Sequence, residues 1–185
     1  VAKYLGTNHT EIILTEDDFF NAIPDVIEKI ESYDTTTVRA SVGNYLVSKY
    51  ISEHSNAKVI FNGDGSDEVT GGYLYFHKAP SDLVFDFEIK KLLENIHYFD
   101  VLRSDKTISS CGLEPRTPFL DKTFVNTYLS IPLSYRRPKS GEIEKKLLRD
   151  SFIDFLPHEF LYRKNNYISK YLSNQICPQL PLPRR

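Results

Sequence analysis

Ala57-Lys58-Val59-Ile60-Phe61-Asn62-Gly63-Asp64-Gly65-Ser66-Asp67-Glu68 is the stretch whose reading decides the fold. Its first five residues form a β-branched and aromatic run bounded by polar residues, which predicts a buried strand. Helical patterns on both sides predict that the strand is parallel to its neighbours. The loop that follows would place glycines and carboxylates at the carboxyl edge of a parallel sheet, where ligands usually bind. Gly63 and Gly65 permit backbone angles and close approaches that a Cβ forbids, and their amides can form an anion-binding nest. Asp64, Asp67 and Glu68 would repel bare phosphate, so a nucleotide here needs a cation. Mg²⁺ suits that task, being held by one or two carboxylates together with substrate phosphates. At this point two readings stand: a nucleotide loop, or a polar turn that caps a helix.

Upstream, His9–Leu14 reads as a short strand, ended by Thr15 as a helix N-cap with Glu16, Asp17 and Asp18 in the first turn. Phe19, Ile23, Val26, Ile27 and Ile30 recur at helical spacing. Pro24 is expected to split that helix in two, since a mid-helix proline costs about 3 kcal/mol. A second helix is expected from Val38 to Glu53, with Val42, Tyr45, Leu46 and Tyr50 on one face. Downstream, Phe87 to Phe99 reads as helix with Leu92, Leu93 and Ile96 as its stripe. Pro115 and Pro118 bracket a turn, Thr123–Leu129 is helical, and Glu142–Phe155 is amphipathic. The proline-rich close from Cys177 to Arg185 reads as a tail. The pattern is α/β, with a mostly helical second part.

With 185 residues, a hydrophobic content of 41% and a charged content of 26%, the chain can bury a real core. A net charge of −2 gives no broad pull toward nucleic acid or anionic membrane. No apolar run approaches the roughly 20 residues of a membrane span. Two cysteines argue against a disulfide framework and fit a reducing compartment, and none of the five histidines makes a metal-ligand spacing with them. Val1-Ala2-Lys3-Tyr4 has neither an initiator Met nor a signal-peptide layout, and reads as the middle of a longer chain.

Four ordered blocks resemble the glutamine-hydrolysing asparagine synthetases, and most nearly their eukaryotic members. Asn62-Gly63-Asp64-Gly65-Ser66-Asp67-Glu68, continued through Gly71-Gly72-Tyr73-Leu74-Tyr75-Phe76-His77-Lys78-Ala79-Pro80, is similar to the family's S-G-E-G-S-D-E…G-Y-x-Y-F-H-K-A-P. Tyr33-Asp34-Thr35-Thr36-Thr37-Val38-Arg39-Ala40-Ser41 resembles Y-D-x-T-T-x-R-A-S. Gly112 to Asp121 resembles G-x-E-x-R-V-P-F-L-D, and Ile143 to Arg149 resembles I-E-K-x-L-L-R. The resemblance covers residues 1–163, taken as part of a synthetase domain, and 164–185 are set apart as a divergent tail.

This resemblance implies a partial adenine-nucleotide α-hydrolase-like (ATP pyrophosphatase) sheet with a mostly helical C-terminal part. It implies cytoplasmic asparagine biosynthesis with ATP and Mg²⁺: aspartate is activated to β-aspartyl-AMP, and ammonia from glutamine completes the amide. Asn62, Gly63 and Gly65 would then lie against the nucleotide. Asp64 takes the place of the family's glutamate, associated with the intermediate. Asp67 would hold Mg²⁺ with pyrophosphate, Thr36 and Arg39 would position substrate and intermediate, and Lys145 would be the active-site lysine. Taken singly, Arg39 could equally be a surface arginine, and Lys145 could pair with a helical glutamate. Glu114 and Arg116 read as a structural ion pair, and Tyr73, Tyr75 and Phe76 as packing.

The chain also departs from the pattern. The family's upstream S-G-G-x-D-S pyrophosphate loop does not occur in these residues, nor does its glutaminase domain with an N-terminal cysteine. Asn62 stands for Ser, and Asp64 stands for Glu with its reach shortened by about 1.5 Å. The residues after Arg163 drift from the family's continuation. The expectation is therefore a synthetase that is inactive as this chain alone. One alternative is a non-catalytic product that associates with a full-length synthetase or another partner through its helical faces, and an apolar sheet edge left exposed would itself favour poor solubility or association. Another is a related ATP-dependent amide or lactam synthetase.

Overall fold

The computed structural model describes residues 1–139 and 141–163. The chain opens with a single helical turn, α1 (Ala2–Leu5), and then runs extended to Thr15. No strand forms over His9–Leu14, contrary to the sequence reading. Its β-prone residues find no partner edge among the described residues, and Ile13 lies fully in solvent.

Helix α2 (Glu16–Ile30) starts where expected, on a reciprocal capping box: the Asp18 amide donates to Thr15 Oγ1 at 3.2 Å, and the Thr15 amide donates to Asp18 Oδ2 at 2.7 Å. Pro24 does not break it. Pro24 and Phe20, whose carbonyl loses its donor, both lie on the exposed side, so water can serve that carbonyl. The opposite stripe of Ala22, Val26 and Ile30 is clamped in a core that carries the helix across the proline. At the far end Lys106 donates to Ile30 O at 3.2 Å and pairs with Glu31 at 2.8 Å, closing the helix terminus.

Helix α3 (Thr35–His54) begins earlier than the apolar pattern suggested, because Asp34 accepts the Thr37 amide at 2.7 Å and caps it. Val38, Val42 and Tyr45 interdigitate with the α2 stripe, with Cys111 packed at the margin.

Strand β1 (Val59–Phe61) pairs in parallel with β2 (Glu114–Arg116), Ile60 lying opposite Pro115. The turn expected between Pro115 and Pro118 is thus partly strand. In a parallel pair only alternate residues bond a given neighbour. Here Glu114 donates to Lys58 O and Arg116 accepts from Asn62, so Pro115 sits where no donor toward β1 is needed. The strand is parallel as expected but not buried. Phe61 is 77% exposed, because β2 alone flanks it among the described residues.

Between the strands lie α4 (Ser66–Thr70), a 3₁₀ turn (Leu74–Lys78), α5 (Asp82–Asn95) and α6 (Asp100–Ser109). The predicted helix over 87–99 therefore starts earlier, capped by Ser81, and its deepest residues are Phe85 and Ile89 rather than Leu92 and Leu93. A second core gathers Phe76, Phe85 and Ile89. After β2 come α7 (Lys122–Ser130), α8 (Leu133–Arg136), α9 (Lys146–Asp150) and α10 (His158–Leu161). Helix α7 matches its expected span, with Asp121 accepting the Thr123 and Phe124 amides. The amphipathic segment 142–155 condenses to α9 and a series of turns, since Lys145 takes a left-handed backbone that a continuous helix cannot contain. The predicted tail and Cys177 lie outside the described residues. Among those described, no helix is long and apolar enough to cross a membrane.

Buried Arg136 ties α8 to α5, donating to Asp86 at 2.9 Å and to Ile131 O at 2.8 Å. Asp86 also meets Lys90 at 2.6 Å. Lys90 does most to hold the Asp86 carboxyl below its usual range, burial opposes this, and Arg136 adds to the lowering. A carboxyl lowered on folding stabilises above its unfolded value near pH 4, and that stabilisation disappears as pH falls through the folded value. Asp86→Asn should therefore be less stable than wild type at neutral pH, with the gap closing below about pH 4. Urea unfolding across that range measures the gap; a difference independent of pH would contradict the linkage.

Candidate functional site

Strand pairing delivers the first loop residue to a fixed place: the Asn62 amide donates to Arg116 O at 3.0 Å. Asn62 then organises the loop. Its Oδ1 accepts the Asp64 amide at 3.2 Å, and its Nδ2 donates to Asp64 Oδ2 at 2.9 Å and to Ser104 Oγ at 3.2 Å. Gly63 follows with open space where a Cβ would stand. Gly65 has φ +83°, and a Cβ there would fall 2.2 Å from Leu120 Cδ2, so both backbone and packing require glycine. The chain turns at that point into α4.

The two acidic residues of α4 face different surroundings, because neighbouring helical positions point about 100° apart. Asp67 is 35% exposed and pairs with Lys145 at 3.0 Å, and Lys145 also donates to Ser66 Oγ at 3.0 Å. Lys145 reaches them from the N-cap of α9 with φ 58° and ψ 29°. That region costs a side-chain-bearing residue about 1–2 kcal/mol. Strain thus coincides with contacts that join the α9 segment to the loop. The helical glutamate considered as a partner for Lys145 is not the residue it meets.

Glu68 is only 5% exposed and accepts from the Tyr73 hydroxyl. Tyr73 also lies 3.4 Å from Asp100, which pairs with Arg103. Burial pushes the Tyr73 phenol far above its usual value, and the Glu68 contact pushes it further. Burial likewise lowers Arg103, opposed first by the charge of Asp64. Its Nε has no partner among the described residues. A polar layer of Glu68, Tyr73, Asp100, Arg103 and Ser104 therefore lies beneath the loop, with Asp64 at its upper edge and Asp67 outside it.

Sequence reading missed most of this layer. Tyr73 does stack, lying 5.8 Å from Tyr75 and 6.4 Å from Phe76, but its hydroxyl has a second task. Asp100 and Arg103 at i, i+3 on one helix face were the available signal. Of the residues singled out, Asn62, Gly63, Asp64, Gly65, Asp67 and Lys145 share one locus. Thr36 and Arg39 are exposed at the start of α3, and among the described residues no hydrogen bond or ion pair joins either to the loop. Glu114 and Arg116 pair at 2.6 Å on the exposed side of β2.

Among the described residues no group of three or more His, Cys, Asp or Glu side chains could cage a metal. One accessible carboxylate beside a lysine fits instead a cation shared with phosphate oxygens, the mode in which Mg²⁺ keeps few protein ligands. Lys145 also borders a cavity of about 150 Å³ lined by Thr70, Gly71, Tyr128 and Arg136, so its ammonium stands between loop and cleft.

Comparison with known sequences adds the family. The sequence model described as asparagine synthase matches residues 1–92 and 86–176. Curated proteins named asparagine synthetase [glutamine-hydrolyzing] are 50% identical over 171 residues in Mus musculus and in Gallus gallus, and 48% identical in Homo sapiens. Each alignment covers 91% of this chain and 30% of the relative, so the chain spans under a third of the length of these relatives.

Removing the Tyr73 hydroxyl would leave buried Glu68 without its donor. Tyr73→Phe should destabilise the fold by about 1–3 kcal/mol, the cost of an unsatisfied buried polar group. Denaturant unfolding tests this, and an unchanged midpoint would mean that Glu68 finds another partner.

Proposed function

This chain belongs to the asparagine synthase family, and from that premise we propose that it carries part of a synthetase site for asparagine biosynthesis. The reaction is ATP-dependent activation of the aspartate side chain to β-aspartyl-AMP with release of pyrophosphate, followed by amidation with ammonia derived from glutamine. The observation that carries this reading is the convergence of Asp67, Ser66 and Lys145 at the end of a parallel strand.

Each residue has a task suited to its surroundings. Lys145 offers a point charge to phosphate oxygens or departing pyrophosphate. Asp67, the accessible carboxylate, holds Mg²⁺ together with those oxygens, which lets two anionic partners coexist. Asn62 and the open surface over Gly63 accept the nucleotide, and Gly65 lets the loop turn beneath it. Asp64, held by Asn62, stands where the intermediate forms and accepts a proton as ammonia attacks. Thr36 and Arg39 guide aspartate from the α3 terminus, where a guanidinium suits carboxylate recognition. We place the α/β core with the adenine-nucleotide α-hydrolase-like sheets. The setting is cytoplasmic, in keeping with two cysteines and no disulfide framework.

Residues 1–185 contain no S-G-G-x-D-S loop, so by themselves they supply only part of a phosphate cradle. The purified chain should bind Mg·pyrophosphate, with affinity falling about tenfold or more in Asp67→Asn and in Lys145→Met, as expected for the loss of a charge-assisted contact. It should release no pyrophosphate from ATP with aspartate and ammonia. Calorimetry and a pyrophosphate assay decide both points. Binding indifferent to both substitutions would overturn the site, and turnover abolished by Asp67→Ala would overturn the inactivity.

A second reading, association with a full-length synthetase, draws on one observation. Val59 and Phe61 of the two-stranded sheet, together with Ile13, present apolar side chains to solvent. Such an edge invites pairing with another strand. Sedimentation of the chain with and without a full-length synthetase should show a heavier species that Phe61→Lys abolishes. Sedimentation as a monomer in both mixtures would rule this reading out.

A further inference from the structure

Two glycines follow α4, and they answer to different constraints. Gly71 has φ +64°, and a Cβ there would lie 2.6 Å from Phe85 Cε2, so that glycine serves the second core. Gly72 lies outside the left-handed region, so no such backbone constraint calls for glycine there. A Cβ at Gly72 would nevertheless fall 2.3 Å from Asp67 Oδ1 and 2.5 Å from Lys145 Cε, with Asp67 Cα a looser 3.2 Å away. Its amide donates to Asp67 O at 2.8 Å, which pins the residue over α4 and prevents it from backing away.

We propose that Gly72 is a positioning residue of the site: its missing side chain is the passage through which Lys145 reaches Asp67. The inference rests on the reading of that pair as the phosphate-facing charges. Three features concur at this contact. Lys145 adopts a left-handed backbone, its side chain is only 18% exposed, and the residue it passes offers no Cβ. A methyl group at 72 would meet the lysine stem and the carboxylate together. The ion pair would then have to open, since the backbone at 72 is tethered and α4 is built into the core through Val69.

The test is zero-length coupling with a carbodiimide, which joins a carboxylate to an amine only when they touch. Peptide mass spectrometry then reads the products. The wild-type chain should yield a Lys145–Asp67 amide and, as an internal reference for folding, a Lys146–Asp150 amide. Gly72→Ala should lose the first product and keep the second. A Lys145–Asp67 amide at wild-type yield in Gly72→Ala would overturn the proposal.

If Gly72→Ala loses both products, the melting temperature decides. In a background carrying Asp67→Ala and Lys145→Ala, where only the 3.2 Å approach to Asp67 Cα remains, adding Gly72→Ala should lower that temperature by clearly less than it does in the wild-type chain. An equal or larger fall there would place the need for glycine elsewhere and defeat the inference. No nucleotide enters either measurement. Failure of Mg·pyrophosphate binding would count against the proposed function and leave the role of Gly72 to the coupling result.

Discussion

The pairing of Val59–Phe61 with Glu114–Arg116 is short, and the geometry of the site depends on it. Two three-residue strands cannot hold themselves together in water. Their register is imposed by the helices that feed them: α3 leads into β1, α6 leads into β2, and α3 packs on α6. The resulting ladder sets the Asn62 amide against Arg116 O, and from there the Asn62 side chain fixes Asp64. The loop is therefore rigid at its entry because of contacts made more than forty residues away in sequence.

Burial then separates chemically identical groups. Asp67 and Glu68 are adjacent carboxylates on one helical turn, yet one meets a lysine near solvent and the other a tyrosine in the interior. Inside, a phenol raised by burial stays protonated and serves as a donor. Outside, the Lys145 ammonium meets a carboxylate that is 35% exposed. Under the proposed function, a ligand bearing phosphate and a divalent cation would replace both halves of the outer pair together, with Asp67 facing the cation and Lys145 the phosphate. The inner pair offers no such exchange, because either partner left alone in the interior would be costly. This division is why the proposed binding role falls on Asp67 and the structural one on Glu68.

Much of this was legible in the residues, and the failures have physical causes. Thr15 with Asp18 announces a helix start because a capping box is wholly local. The loop was legible because Gly-Asp-Gly-Ser-Asp-Glu after an apolar run implies a strand end. Pro24 misled because its penalty is local while the compensation from Val26 and Ile30 against α3 is tertiary. Pro115 misled in the opposite sense, since only register shows that its missing N–H faces away from the partner strand. Asp100, Arg103 and Ser104 carry no motif. Their importance arises when α6 is laid under the loop, a long-range event that no local pattern encodes.

The same geometry changes how two departures from the family pattern combine. Taken one at a time, Asn for Ser at 62 and Asp for Glu at 64 look like a neutral swap and a shortened carboxylate. In the structure the two side chains are bonded to each other, Asn62 Nδ2 reaching Asp64 Oδ2 at 2.9 Å. A serine hydroxyl stands directly on Cβ, whereas the asparagine amide lies one carbon further out. In this loop it is that longer donor that reaches the Asp64 carboxylate. Asn62 also accepts the Asp64 amide and donates to Ser104, so the carboxylate is held from both its backbone and its side chain. The loop holds a fixed carboxylate above α6, and the identities at 62 and 64 are two parts of that single constraint.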